Sequence, residues 1–233
     1  MDVFSSTGNI ASSVQLNQAF AGVYLERSYM LNELKRYTVC GNVPIRPGVF
    51  GIQLNYFGYA SYREIEPSLG YAKKLGEVEL GIKLNYRMVS IPIYGNKSSI
   101  IPEIGSIWHI TGKLHTGLRI YNPLSYFASS STEARFSYSY SSGIGYEVSP
   151  IVFLGISINK EEDKEVEVNT AIQYQFASMF FVGLGISSTN AHAHFDFGYQ
   201  YHSLRIDVNS SWDARLGISA GLMLIYCISA KEK

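Results

Sequence analysis

His192 and His194 stand two residues apart, with Asp196 two further on. In an extended chain this spacing sets three metal-binding side chains along one edge, and two imidazoles beside a carboxylate suit Zn2+ or another transition metal. A larger ionisable set keeps the same alternate beat: Glu79, Lys83 and Arg87, then His115 and Arg119, then Arg205, Asp207 and Arg215. Facing one interior, such groups could select a solute by charge, but mixed signs more simply form a neutralised network that fills a narrow barrel. The histidine pair has the same plainer reading as lumen lining, because its alternating partners Ala193, Phe195, Phe197 and Tyr199 are apolar or aromatic. No cofactor or metal is needed to account for these residues. No catalytic motif is credited, since a Walker loop, a His-Glu-x-x-His and a zinc-type cysteine pairing are all missing. The chain is therefore expected not to be an enzyme.

The elements that must position these residues show in the beat itself. From Val78 to Met88 every even position is apolar (Val78, Leu80, Ile82, Leu84, Tyr86, Met88), and every odd one is polar or glycine. Period two is the signature of a strand with one apolar face. Strands of soluble proteins are commonly five or six residues long, whereas about ten or eleven fit a strand tilted across a bilayer. Phe50–Tyr56, Phe136–Val148, Val166–Phe176 and Leu216–Tyr226 repeat the pattern. No segment has helical periodicity. Read together, these segments predict an all-β, transmembrane, antiparallel up-and-down β-barrel.

Composition points the same way. Aromatic girdles and few charges are what a barrel in an outer membrane needs, and the chain has 18 Tyr and 12 Phe with 16% charged residues. No apolar run is long enough for a helical span. Net charge is zero with no basic stripe, so no nucleic-acid partner is expected. The start Met1-Asp-Val-Phe-Ser-Ser6 lacks the basic and apolar regions of a secretory signal, so numbering from the mature protein is expected. Cys40 and Cys227 fall on strands about two spacings apart in a closed barrel, roughly 9–10 Å. That exceeds the roughly 7 Å reach of a disulfide, so two thiols are expected.

Turn signals supply the strand count. Short turns are predicted near 44–48, 75–77, 111–113, 148–150, 176–178 and 201–203, alternating with longer links at 60–64, 90–99, 122–132, 160–164, 187–191 and 209–213. With a first strand at 19–29 turning through 31–34, fourteen strands result; twelve is the alternative, because 19–29 and 203–209 alternate most weakly. The organisation expected is an N-terminal periplasmic or plug segment at 1–18, a barrel at 19–228 and a tail at 229–233. An even count puts both termini on the periplasmic side.

The ordered residues also resemble a family. Val49-Phe-Gly-Ile-Gln-Leu-Asn-Tyr-Phe-Gly-Tyr59, Tyr62-Arg-Glu64, Leu69-Gly-Tyr-Ala-Lys-Lys-Leu-Gly76, Leu80-Gly-Ile-Lys-Leu-Asn-Tyr86 and Gly117-Leu-Arg-Ile-Tyr-Asn-Pro123 are similar to segments of the PorV and PorQ outer-membrane proteins. These are relatives of the FadL fatty-acid transporters that work with type IX secretion. The resemblance implies a fourteen-stranded barrel in a Gram-negative outer membrane, surrounded by lipid. It implies one of two roles: an accessory subunit of a larger outer-membrane secretion or assembly complex, or a FadL-like transporter or small channel for hydrophobic or small solutes. The chain departs from the family in being much shorter, in carrying Asn17-Gln18-Ala19 where FadL-type hatches have Asn-Pro-Ala, and in ending without a terminal aromatic. A soluble binding barrel, with the apolar face turned inward, is the third reading.

Overall fold

Neighbouring residues on Val78–Ile91 meet different media: Ile82 is 59% and Leu84 53% exposed, whereas Lys83 is 4% and Asn85 1% exposed. The computed structural model describes residues 8–127, 136–189 and 192–228. Among them fourteen strands form one closed antiparallel barrel in sequence order. They are β1 (Ala19–Arg27), β2 (Lys35–Ile45), β3 (Gly48–Tyr59), β4 (Tyr62–Leu75), β5 (Val78–Ile91), β6 (Gly95–His109), β7 (Leu114–Tyr121), β8 (Ser139–Ser149), β9 (Val152–Glu161), β10 (Glu167–Ala177), β11 (Phe180–Ser187), β12 (Ala193–Tyr201), β13 (Leu204–Asp213) and β14 (Gly217–Ile228). The seam closes by pairing β1 with β14, from Ala19 opposite Ile228 to Arg27 opposite Ala220. Closure matters because lipid offers no partner to a free sheet edge.

The apolar face points outward all round. Ile52, Leu69, Ile82, Ile100, Ile144, Ile156, Leu184, Val208 and Ile218 all stand exposed, far more apolar surface than a water-soluble monomer presents. Inside are carboxylates, amides and lysine, which is the opposite of a soluble ligand-binding barrel. The fold is a transmembrane up-and-down β-barrel of fourteen strands, and the twelve-strand alternative falls away. Outward aromatics stack near one rim, with Phe176 and Phe180 at 5.3 Å and Phe180 and Tyr199 at 5.0 Å, in the manner of an interfacial girdle.

The end where β1 begins and β14 ends, here the terminal end, has tight turns at 46–47, 76–77, 110–113, 150–151, 178–179 and 202–203. The far end differs from the sequence expectation. Links 60–61 and 92–94 are tight hairpins, because β3 to β6 run on for 12, 14, 14 and 15 residues. After β7 the described chain turns through a short helix at Pro123–Phe127. Phe136, read from the sequence as an outward strand residue, instead precedes β8 and lies 5.1 Å from the Arg87 guanidinium and 4.3 Å from the Lys97 ammonium. Its backbone oxygen accepts from Asn122 and Ser125, which folds the end of the link back over the barrel wall. Cys40 and Cys227 lie on either side of β1 and keep their thiols.

Candidate functional site

A short 3-10 segment, Ile10–Gln15, sits inside the barrel with Ile10, Ala11, Ser12 and Ser13 buried. It is seated on glycines that the inward face of β3 to β6 carries at neighbouring positions. A Cβ on Gly70 would come within 2.7 Å of the Ile10 side chain, and one on Gly81 within 2.7 Å of Ile10 and 2.9 Å of the Ala11 nitrogen. Only glycine permits so close an approach. Asn9 anchors the segment twice. Its Oδ1 accepts from the Ala11 N–H at 3.1 Å as a helix cap, and its Nδ2 donates to the Ser106 and Leu118 carbonyls at 3.2 Å each. Gln15 closes the segment by donating to Glu79 at 3.0 Å. Of the N-terminal region 1–18, residues 1–7 lie outside the described residues, as does the tail 229–233.

Beside this segment the inward residues of β3 to β7 form a compensated charge network. The Lys83 ammonium stands 3.2 Å from Glu103, whose second oxygen accepts from Arg119 at 2.9 Å. Arg87 pairs with Glu64 at 2.8 Å, and Tyr121 donates to Glu66 at 3.0 Å. Ser68 donates to Asn85, which donates to the Ile101 carbonyl. Glu103 is almost wholly buried, so its two cations are what make its charge tolerable there. The sequence pointed to Lys83, Arg87 and Arg119 but not to the carboxylates that hold them, because Glu64, Glu66 and Glu103 become neighbours only across paired strands.

The opposite wall, β8 to β14, is lined differently. Inward side chains there lie flat over glycines of the adjacent strand: His194 over Gly185, Asp196 over Gly183, Asp207 over Gly198 and Asn209 over Gly221. Arg205 closes on Asp207 at 2.8 Å and its guanidinium sits 4.7 Å from the Phe181 ring. The flattened wall leaves a recess of about 260 Å³ edged by Tyr24, Glu26, His194, Asp196, Asn209 and Ser219. Gln173, which points inward on β10, stays exposed. An apolar patch interrupts the polar lining where Cys40 and Ile225 pack with Phe20 and Met223. Ile151 lies exposed in a terminal-end turn.

His192, His194 and Asp196 do not form the metal site that their spacing allows. His192 turns to Asp213 at 2.6 Å while His194 leans over Gly185. Arg215 is a correction to the lumen-lining set: it lies exposed in the link 214–216, where its backbone N–H donates to Asp213. The run Gly217-Ile-Ser219-Ala-Gly221 has the Gly-x-Ser-x-Gly spacing of a nucleophile elbow, which the sequence reading missed. It is not one, because the motif needs a strand-to-helix turn and this run lies along β14. Ser219 Oγ accepts from the Tyr29 N–H at 2.9 Å.

One imidazole pair is brought together, and His109 had not been singled out in it. His109 and His115 are cross-strand partners, with their Nδ1 atoms 2.8 Å apart. Each ring gives its other nitrogen to a carboxylate: His109 Nε2 is 2.9 Å from Glu79 and His115 Nε2 is 3.2 Å from Glu147. The signal was present, since residues 109 and 115 are equidistant from the centre of the predicted turn at 111–113. No group of three or more metal-binding side chains occurs among the described residues.

No protein-family model matches the chain, and no curated protein matches it in sequence. In fold it is similar to the CymD monoaromatic hydrocarbon channel, with TM-score 0.71 and 10% identity over 100% of this chain and 94% of that one. It is also similar to the Pseudomonas putida toluene transporter TodX, with TM-score 0.66 and 8% identity over 96% and 92%. A mutant porin of Rh. blastica has TM-score 0.51 and 9% identity over 91% and 99%. The likeness is one of architecture, a closed up-and-down β-barrel, and it does not single out the PorV or PorQ branch.

Proposed function

We propose that this chain is a non-enzymatic outer-membrane channel or transporter for small, largely apolar solutes. The observation that carries the reading is the asymmetry of the lumen. One wall is covered by the segment Ile10–Gln15 on its glycine bed, while across the lumen the inward Gln173 stays exposed. Side chains laid over glycines keep that half low, and the half-buried Phe20, Met223 and Phe181 give an apolar solute surface to touch. The hydrocarbon and toluene described for the two fold neighbours fit such a surface. Reconstituted barrels should take up toluene several-fold faster than empty vesicles and a charged sugar phosphate no faster than them. Toluene entry at the rate of empty vesicles overturns the proposal.

A second reading, an accessory subunit of a secretion complex in the PorV or PorQ manner, is favoured by one feature. At the β5–β6 hairpin tip, Ile93 is 90% and Tyr94 85% exposed. Fourteen residues tilted about 40° rise roughly 35 Å against an apolar band of about 25 Å, so the tip projects about 10 Å into the aqueous phase. Ile93→Ser/Tyr94→Ser should then release a co-purifying partner while the barrel stays folded. Purification of the barrel alone from native membranes removes this reading.

A further inference from the structure

We propose that His109 and His115 form a binding site for a divalent late transition-metal ion, Zn2+, Ni2+ or Cu2+, at the terminal end of the barrel. Glu79 and Glu147 each face an Nε2, and a carboxylate accepts, so both Nε2 atoms carry hydrogen. Across 2.8 Å the two Nδ1 atoms can share a hydrogen, as an N–H···N bond does, or a metal ion can take the same two lone pairs. A carboxylate on the far nitrogen is the usual way a metal-binding histidine is oriented and made more basic. Here both rings have one.

The geometry is within reach of a metal. Two nitrogens at the usual metal distance of about 2.05 Å and a tetrahedral angle lie roughly 3.3 Å apart, so the rings need to part by only about 0.5 Å. They already stand edge to face at 78° with room to turn, because the pair opens onto a recess of about 530 Å³. Water in that recess would fill the remaining positions. Glu77 and Glu79 line it against the single ammonium of Lys74, and with Glu147 the local balance favours a cation. Imidazole selects for the later first-row metals over Mg2+ or Ca2+. Because Gln15 donates to the second oxygen of Glu79, a bound ion would also brace the end of the Ile10–Gln15 segment.

The test uses full-length barrel in detergent, stripped with a chelator and titrated calorimetrically with ZnCl2. One ion per chain is expected. His109→Gln and His115→Gln should each weaken binding more than tenfold, and Glu147→Gln about tenfold. His202→Gln, in the exposed turn at 202–203, should change nothing. If His109→Gln does not fold, His115→Gln and the unmodified protein carry the test, since Cu2+ bound to the latter should show couplings to two imidazole nitrogens by electron paramagnetic resonance. No saturable uptake at millimolar Zn2+, uptake retained in both histidine variants, or coupling to fewer than two nitrogens each overturns the proposal. Solute uptake plays no part in these readouts, so the channel reading stands or falls separately.

Discussion

Ile82 and Lys83 share a peptide bond and face lipid and lumen, and this one contrast contains the rule by which the chain was legible. Ile82→Arg should cost about 2–4 kcal/mol near the middle of the apolar band. Ile82→Ala should cost distinctly less, as read by urea unfolding in lipid vesicles. Inside, charge stabilises where it is paired. Glu103→Gln leaves Lys83 and Arg119 without the carboxylate that compensates both, and removing one member of a buried ion pair costs about 3–5 kcal/mol. Parity on a strand was enough to turn Lys83, Arg87 and Arg119 inward. It could not find Glu64 or Glu103, whose roles depend on strand register. It misplaced Arg215 and Phe136 because both lie just outside a strand, where the two-residue beat no longer fixes direction.

Elements were readable where the membrane imposes a pattern. The terminal-end turns at 46–47, 76–77 and 202–203 fall where Pro, Gly and polar clusters interrupt the alternation. The far-end links at 60–61 and 92–94 were overestimated because β3 to β6 continue beyond the apolar band. There water bathes both faces and the alternation that marks a strand fades. The seating of Ile10–Gln15 was hidden for another reason. Its bed consists of single glycines on separate strands, Gly51, Gly70, Gly81 and Gly105, which become one surface only when the sheet curls. Gly81→Val should therefore push Ile10 and Ala11 off the wall while the barrel still migrates as folded in unheated detergent gels. Vesicle swelling with a small neutral sugar should then rise several-fold over the unmodified protein. An unchanged rate would mean that the segment does not limit the lumen.

At the scale of the whole molecule a closed wall carries its apolar residues outside, and the proposed passage runs along β8 to β12. Closure between β1 and β14 was implied by an even count of alternating segments, whereas the asymmetry of the lumen was not, since it depends on which wall the N-terminal segment meets. The most direct test is a cysteine scan on β10, in a background with Cys40 and Cys227 replaced by serine, using a membrane-impermeant thiol reagent on sealed proteoliposomes. Gln173→Cys and Gln175→Cys should label, because their side chains face the lumen, and Ile172→Cys and Tyr174→Cys should stay protected by lipid. Equal labelling of the two sets, or labelling of the second set alone, would contradict a membrane-spanning barrel with a passage through it.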